Sequence, residues 1–273
     1  MEIEKKRKPF VAFFLSFLTP GVGQLYNGQI KRAGFLYSML FVISINPLSL
    51  KLFATFHGLI VWLAVTISLL LYIMLDALYN AFKLKEIKIN KYNKWYVYAV
   101  IIAIQTFTIQ PLIKSIHHFK AYKTPAGSMK PTLITGDHFM VDKTYYKKKA
   151  PERKDVVVFI YPEDPGKDFV KRIIGLPGDM VEIRDKNVYV NGKRQDSSNV
   201  VHTDPHIIPG DIAPRDNYGP TTVSDRSLFV LGDNRDQSLD SRFWGFLDIS
   251  ELKGKALYIY WSEDRNRIGS AIK

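Results

Sequence analysis

Ser128, in Ala126-Gly-Ser-Met-Lys-Pro-Thr-Leu133, and Lys171, in Phe169-Val-Lys-Arg-Ile-Ile-Gly-Leu-Pro-Gly-Asp179, stand 43 positions apart in a chain of 273 residues. A serine hydroxyl is a weak nucleophile at neutral pH and needs a base within hydrogen-bond reach. A lysine can be that base only where burial disfavours its ammonium form. Phe169, Val170, Ile173 and Ile174 give Lys171 apolar neighbours on a short predicted strand, the setting that lowers a lysine pKa. The chemistry these residue types can do is acyl transfer through a covalent serine intermediate. A serine and a lysine in one chain are by default two unrelated surface residues, so their surroundings must decide.

The elements that must position the pair are strands. Residues 155–161, 169–174, 180–183, 187–190, 227–231 and 256–261 are strand-like, and Asn191-Gly192 after the fourth is a strong hairpin signal. An antiparallel β domain over residues 117–273 follows. Residues 196–224, rich in Pro, Asp, Ser and Gly, read as a long excursion from it.

The first 116 residues are of another kind. Three apolar runs, 33–50, 57–79 and 95–113, approach the ~20 residues that a spanning helix needs. Phe10 to Leu18 is too short to cross and runs into Thr19-Pro-Gly-Val-Gly-Gln-Leu-Tyr-Asn-Gly28, so residues 10–28 read as a re-entrant or interfacial segment. A signal peptide fits the basic start, but the Pro-Gly turn and the membrane-length runs after it oppose cleavage there. Lys5 to Lys8, Lys31-Arg32 and the lysines of 83–94 read as cytoplasmic. Three crossings then put residue 117 onward outside the cytoplasm, in a multi-pass membrane protein. Asp76, the one acid inside an expected span, is placed at the membrane interface.

Residues 1–116 hold 13 Lys and Arg against 4 Asp and Glu, and the remainder 25 against 22. The basic excess therefore belongs to the membrane half, where it orients helices. No basic stripe interleaved with aromatics stands on the second half, so no nucleic-acid partner is expected. The absence of cysteine removes disulfides, thiolate metal sites and a thiol nucleophile. His202, His206, Asp204 and Asp211 lie in the irregular excursion with nothing regular to fix a ligand geometry, so no metal and no cofactor is expected.

Four blocks in order, Ser128 to Leu133, Gly136 to Lys143, Lys171 to Asp179 and Gly232 to Gly245, resemble type I signal peptidases, membrane-bound Ser/Lys proteases that release exported preproteins from their signal peptides. The resemblance covers nearly all of residues 114–262 and the helix before them. It implies an N-terminal multi-helix transmembrane region followed by a mainly antiparallel β catalytic domain, with secretory preproteins and membrane lipid as partners. It implies Ser128 as nucleophile and Lys171 as general base, with the Ser128 main-chain N–H in the oxyanion hole. Ser238 would bond the lysine amine, and Asp240 with Arg242 would form an ion pair behind it. Thr124, Pro125, Ala126, Met129, Leu133, Phe169, Val170 and Leu239 would line shallow pockets that select small residues at positions −1 and −3, in Ala-X-Ala fashion. Two features depart from the family. Many members carry a serine where this chain has Ala126, and its hydroxyl completes the oxyanion hole. Leu239 is larger than the expected alanine, and either narrows a pocket or packs inward. Met129 and Trp244 are expected on a membrane-dipping surface and Phe139 in the core. A maturation peptidase of a conjugation or pilus system and a non-catalytic membrane interaction module are the alternative readings.

Overall fold

Two units make up the chain, Met1–His117 and His118–Lys273. The computed structural model describes every residue except 1–3, 46–50, 85, 89–90, 112–117 and 197.

In the first unit a short strand β1 (Glu4–Lys6) pairs antiparallel with β2 (Glu86–Lys88). Its helices are α1 (Pro9–Leu18), α2 (Val22–Tyr26), α3 (Ile30–Ile45), α4 (Phe56–Lys83) and α5 (Trp95–Ile104), which runs on as a π turn over Gln105–Ile109. Pro9 opens α1, where its missing N–H costs nothing, and the Thr55 hydroxyl caps α4 by accepting from Gly58 N–H. Three crossings are expected over this unit. Among the described residues one helix, α4 with 28 residues, is long and apolar enough to cross a membrane. Helix α3 is described over 16 residues. The expected ends at 46–50 and 112–113 lie outside the described residues.

The residues 10–28 form a helix, a turn and a second helix, held to α4 by polar side chains. Gln24 donates to Ile73 O at 2.7 Å and to Asp76 Oδ2 at 3.1 Å, and accepts from Ser16 Oγ at 3.2 Å. Asn27 donates to Ala77 O at 2.8 Å. Between them Gly23 has no room for a side chain, since a Cβ would lie 2.1 Å from Ala12 O and 2.3 Å from Ser16 Oγ. Asp76 also accepts from Arg32 and Asn80 and is only 8% exposed, so it is the hub of this cluster.

The second unit is antiparallel β throughout its named pairings. Its strands are β3 (Phe119–Lys123), β4 (His138–Asp142), β5 (Val156–Tyr161), β6 (Asp164–Gly175), β7 (Met180–Arg184), β8 (Asn187–Val190), β9 (Lys193–Arg194), β10 (Tyr218–Thr222), β11 (Ser227–Leu231), β12 (Leu247–Asp248) and β13 (Leu252–Trp261). A seven-stranded sheet runs β12-β11-β6-β5-β13-β4-β3, and a four-stranded sheet runs β10-β7-β8-β9. Strand β5 is apolar at every position because it is covered on both faces. Val156 and Val158 pack with Phe139, Val141, Ala256 and Ile259, while Val157 and Phe159 face Ile173, Leu228, Val230 and Leu247. Each such side chain contributes roughly 1.5–3 kcal/mol on burial. Val181, Ile183, Val188 and Val190 of the smaller sheet close over Phe229 and Leu231. The β8–β9 hairpin turns through Asn191 and Gly192, both at positive φ, as the dipeptide predicts. The excursion is shorter than 196–224, since its last residues form β10 and pair with β7.

Candidate active site

Ser128 sits in the turn region between β3 and β4, and that stretch is closed by main-chain bonds from Thr124 N to Asp137 O and from Gly136 N to Thr124 O. Met129 and Leu133 plug it into the core with no exposed surface. Asp137 ties down its far end by accepting from Ile134 N, Ser262 Oγ and Arg267. Burial alone would raise the Asp137 carboxyl, but these bonds outweigh it and hold the group below the usual carboxylate range.

Lys171 arrives on β6, where Phe169, Lys171 and Ile173 alternate with Val170 and Arg172. Its Nζ lies 2.8 Å from Ser128 Oγ, to which it donates, and 5.4 Å from the centre of the Phe169 ring. Lys171 is 3% exposed, and burial pulls its pKa down to about 8; Asp240 and Asp233 oppose the shift and Arg242 adds to it. Once neutral, the amine accepts the proton of the hydroxyl that it now holds. The Ser128 main-chain N–H donates to none of the described residues.

The stretch 232–242 clamps the nucleophile's turn from behind. Asn234 N donates to Ser128 O at 3.1 Å and Asn234 Nδ2 to Gly127 O at 3.2 Å. Gly232 fits only as glycine, because a Cβ would lie 2.5 Å from Ser128 O and 2.2 Å from Ser238 Oγ. Asp240 receives both arms of Arg242 at 2.8 Å and the Gly232 N–H at 3.0 Å. Arg242 reaches on to Arg235 O and Arg215 O, both at 2.6 Å. The implied bond between Ser238 and the lysine amine is not formed: the buried Ser238 Oγ has no hydrogen-bond partner. It lies beside Gly232 and the Ser128 carbonyl instead.

A second ion pair escaped the sequence reading. Arg172 grips Asp233 through Nε at 2.7 Å and Nη2 at 2.6 Å, and Thr132 Oγ1 donates to the same carboxylate at 2.5 Å. It joins the Ser128 turn, β6 and the 232–242 stretch at one point. The signal available was the charge of Arg172 next to Lys171 and of Asp233 in a turn, and nothing in their spacing pairs them.

The expected substrate pocket divides. Pro125 and Ala126 are exposed, Phe169 and Val170 are half-buried, and Leu239 is 47% exposed, so it does not pack inward. Met129 and Leu133 are corrected from pocket walls to core, where they pack with Phe139 and Val141. Met129 therefore offers no membrane-dipping surface either. Thr124 is buried beneath the turn, and Trp244 packs near Phe159 and Tyr161. His202 bonds Asp236 and His206 bonds Asp204, which Arg215 also holds.

A serine hydroxyl against a buried amine, with a main-chain donor left open beside it, is an arrangement able to run serine acyl transfer. Residues 89–261 match the family model described as signal peptidase, peptidase S26. A probable signal peptidase I-2 of Synechocystis sp. is 39% identical over 181 residues, covering 63% of this chain and 73% of that protein. A signal peptidase I of Bacillus caldolyticus is 36% identical over 154 residues, covering 52% and 80%. A crystal structure of a signal peptidase I from Enterococcus faecalis V583 aligns with 39% of this chain and 97% of that chain at 32% identity, with a TM-score of 0.32, too low to bear on the fold. The chain belongs to the signal peptidase family, peptidase S26. It is a serine endopeptidase of signal-peptide processing.

Proposed function

We propose that Ser128 and Lys171 are the dyad with which this signal peptidase cuts N-terminal signal peptides from exported preproteins. The observation that carries the reading is the 2.8 Å contact between Ser128 Oγ and an almost fully buried lysine amine. Neutral Lys171 takes the hydroxyl proton as Oγ attacks the scissile carbonyl. The Ser128 N–H then receives the developing oxyanion, where one preorganised donor is worth about 2.7–4 kcal/mol of barrier. The lysine ammonium returns its proton to the departing amine, and the neutral amine next activates water against the acyl-enzyme.

The two ion pairs, Arg172 with Asp233 and Arg242 with Asp240, position this pair by fixing the strand and turn that carry it. Phe169, Val170 and Leu239 border the site and would exclude bulk at positions −1 and −3, which selects small residues there. With α3 and α5 crossing beside α4, Lys31-Arg32 and the lysines of 83–94 stay on one side, as does the β1–β2 pair, and this supports an extracytoplasmic location for the peptidase unit, with membrane lipid around these helices.

The test is cleavage of a preprotein with an Ala-X-Ala site by the full chain in detergent, beside Ser128→Ala and Lys171→Ala. Both variants are expected to lose turnover by several orders of magnitude, and cleavage that survives either change overturns the dyad.

A further inference from the structure

Away from Ser128 and Lys171, a cavity of about 200 Å³ opens in the peptidase unit between β6, β8, the Arg194 end of β9 and the start of the excursion. Neither dyad residue lines it. Its walls are strongly basic: Arg153, Lys154, Arg172, Lys186, Arg194 and Arg235 line it, with His202, and Asp196 is the only acidic residue there.

Most of these cations are already neutralised. Arg172 is spent on Asp233, Lys186 on Asp236 and Asp216, and Arg153 on Asp179, while Lys154 lies 3.5 Å from Asp196 and His202 contacts Asp236. Arg235 is different. It is 7% exposed, and among the described residues its guanidinium donates only through Nε to Gly232 O at 3.1 Å and no carboxylate is within ion-pair distance. The two buried acids behind it, Asp233 and Asp240, are occupied by Arg172 and Arg242. Desolvation, and next the charge of Arg242, pull its pKa down to about 10, and the carboxylates of Asp240 and Asp233 offset only part of that shift. Arg194, at the rim, bonds Asn187 Oδ1 and no carboxylate.

A buried guanidinium left unpaired is costly, and an arginine presents its Nη groups as a fork that fits two oxygens of one anion. The cavity is smaller than the roughly 300–1,000 Å³ of drug-sized sites, which suits a compact anion. We propose that this cavity binds a phosphate-class anion, held by Arg235 with Arg194 and Lys154 at the rim. The anion is either free phosphate or the phosphodiester of a lipid headgroup. It supplies the counter-charge that Arg235 lacks. It also braces the 232–242 stretch, because Arg235 N donates to Val201 O and Arg235 O accepts from Arg242.

Titration calorimetry of the full chain in non-ionic detergent tests the site with inorganic phosphate as probe. Saturable binding is expected, weakened about tenfold or more in Arg235→Gln and in Arg194→Gln, since each removes a charge-assisted hydrogen bond. Circular dichroism checks that the variants fold, and the exposed Arg194 carries the test if Arg235→Gln does not. Hydrogen exchange at residues 199–204 separates the sources, with the protein in phosphate-free non-ionic detergent to which either inorganic phosphate or phosphatidylglycerol is added. Slowing on addition of phosphate assigns the free ion, and slowing only when phosphatidylglycerol is present assigns the headgroup; either supports the site. No response in either arm, an equal response in the variants, or binding of a glutamate-rich peptide without any response to phosphate overturns it.

Discussion

Lys171 is pushed toward its neutral form chiefly by exclusion from water, with the charge of Arg242 adding to the shift, which is what the proposed role as base requires. Two consequences follow at the scale of this residue. The first concerns activity: below about pH 8 the amine is charged, so kcat/KM should fall about tenfold per pH unit and level off above, and a profile flat from pH 6 to 9 would remove Lys171 as the base. The second concerns stability. The folded pKa lies below the unfolded 10.5, so the buried ammonium destabilises the fold fully below about pH 8, less between there and 10.5, and not at all above. Lys171→Met should therefore raise folding stability at pH 6 by on the order of 3 kcal/mol, with the gain fading toward pH 10.5, as denaturant titrations at several pH values would read. The apolar run around Lys171 makes this environment legible in the sequence. The missing Ser238 bond was not, since whether two hydroxyl-sized atoms meet depends on a separation of less than an ångström.

At the scale of the element, the 232–242 stretch is a clamp. Gly232 is its tightest point, and Gly232→Ala forces a methyl group against the Ser128 carbonyl and the Ser238 hydroxyl. That overpacking is expected to cost roughly 1–3 kcal/mol of stability, and cleavage should fall more than stability does, because the Ser128 turn is what must move. A thermal melt with cleavage assays on the same preparation separates the two, and unchanged activity would show that the turn tolerates displacement. The sequence announces Asp240 with Arg242 only through the family resemblance. It hides Arg172 with Asp233, 61 positions apart, because that pair exists only through the β6–β11 register that sets Arg172 opposite Leu231.

At the scale of the whole molecule, each unit is held by its own logic. The N-terminal unit buries a polar cluster in which Gln24 serves Ile73 O, Asp76 and Ser16 together. Gln24→Leu removes three buried hydrogen bonds and takes from the Ser16 hydroxyl the acceptor it uses, at a cost of about 1–3 kcal/mol, so α1 and α2 should become susceptible to protease in detergent where the parent chain resists. Equal resistance would show that apolar packing alone holds them. What the sequence determines by itself are properties that repeat locally. These are the two-residue alternation of the strands, the Asn191-Gly192 turn, the length of α4, and four blocks whose residue types define the family and its chemistry. Tertiary structure alone decided which side chains meet. It moved Met129 and Leu133 from pocket to core, made Asp76 a hub, and left Arg235 buried with no carboxylate paired to it among the described residues. The physical reason is that burial and pairing depend on strand register and helix packing across long separations, and no local pattern of residues encodes them.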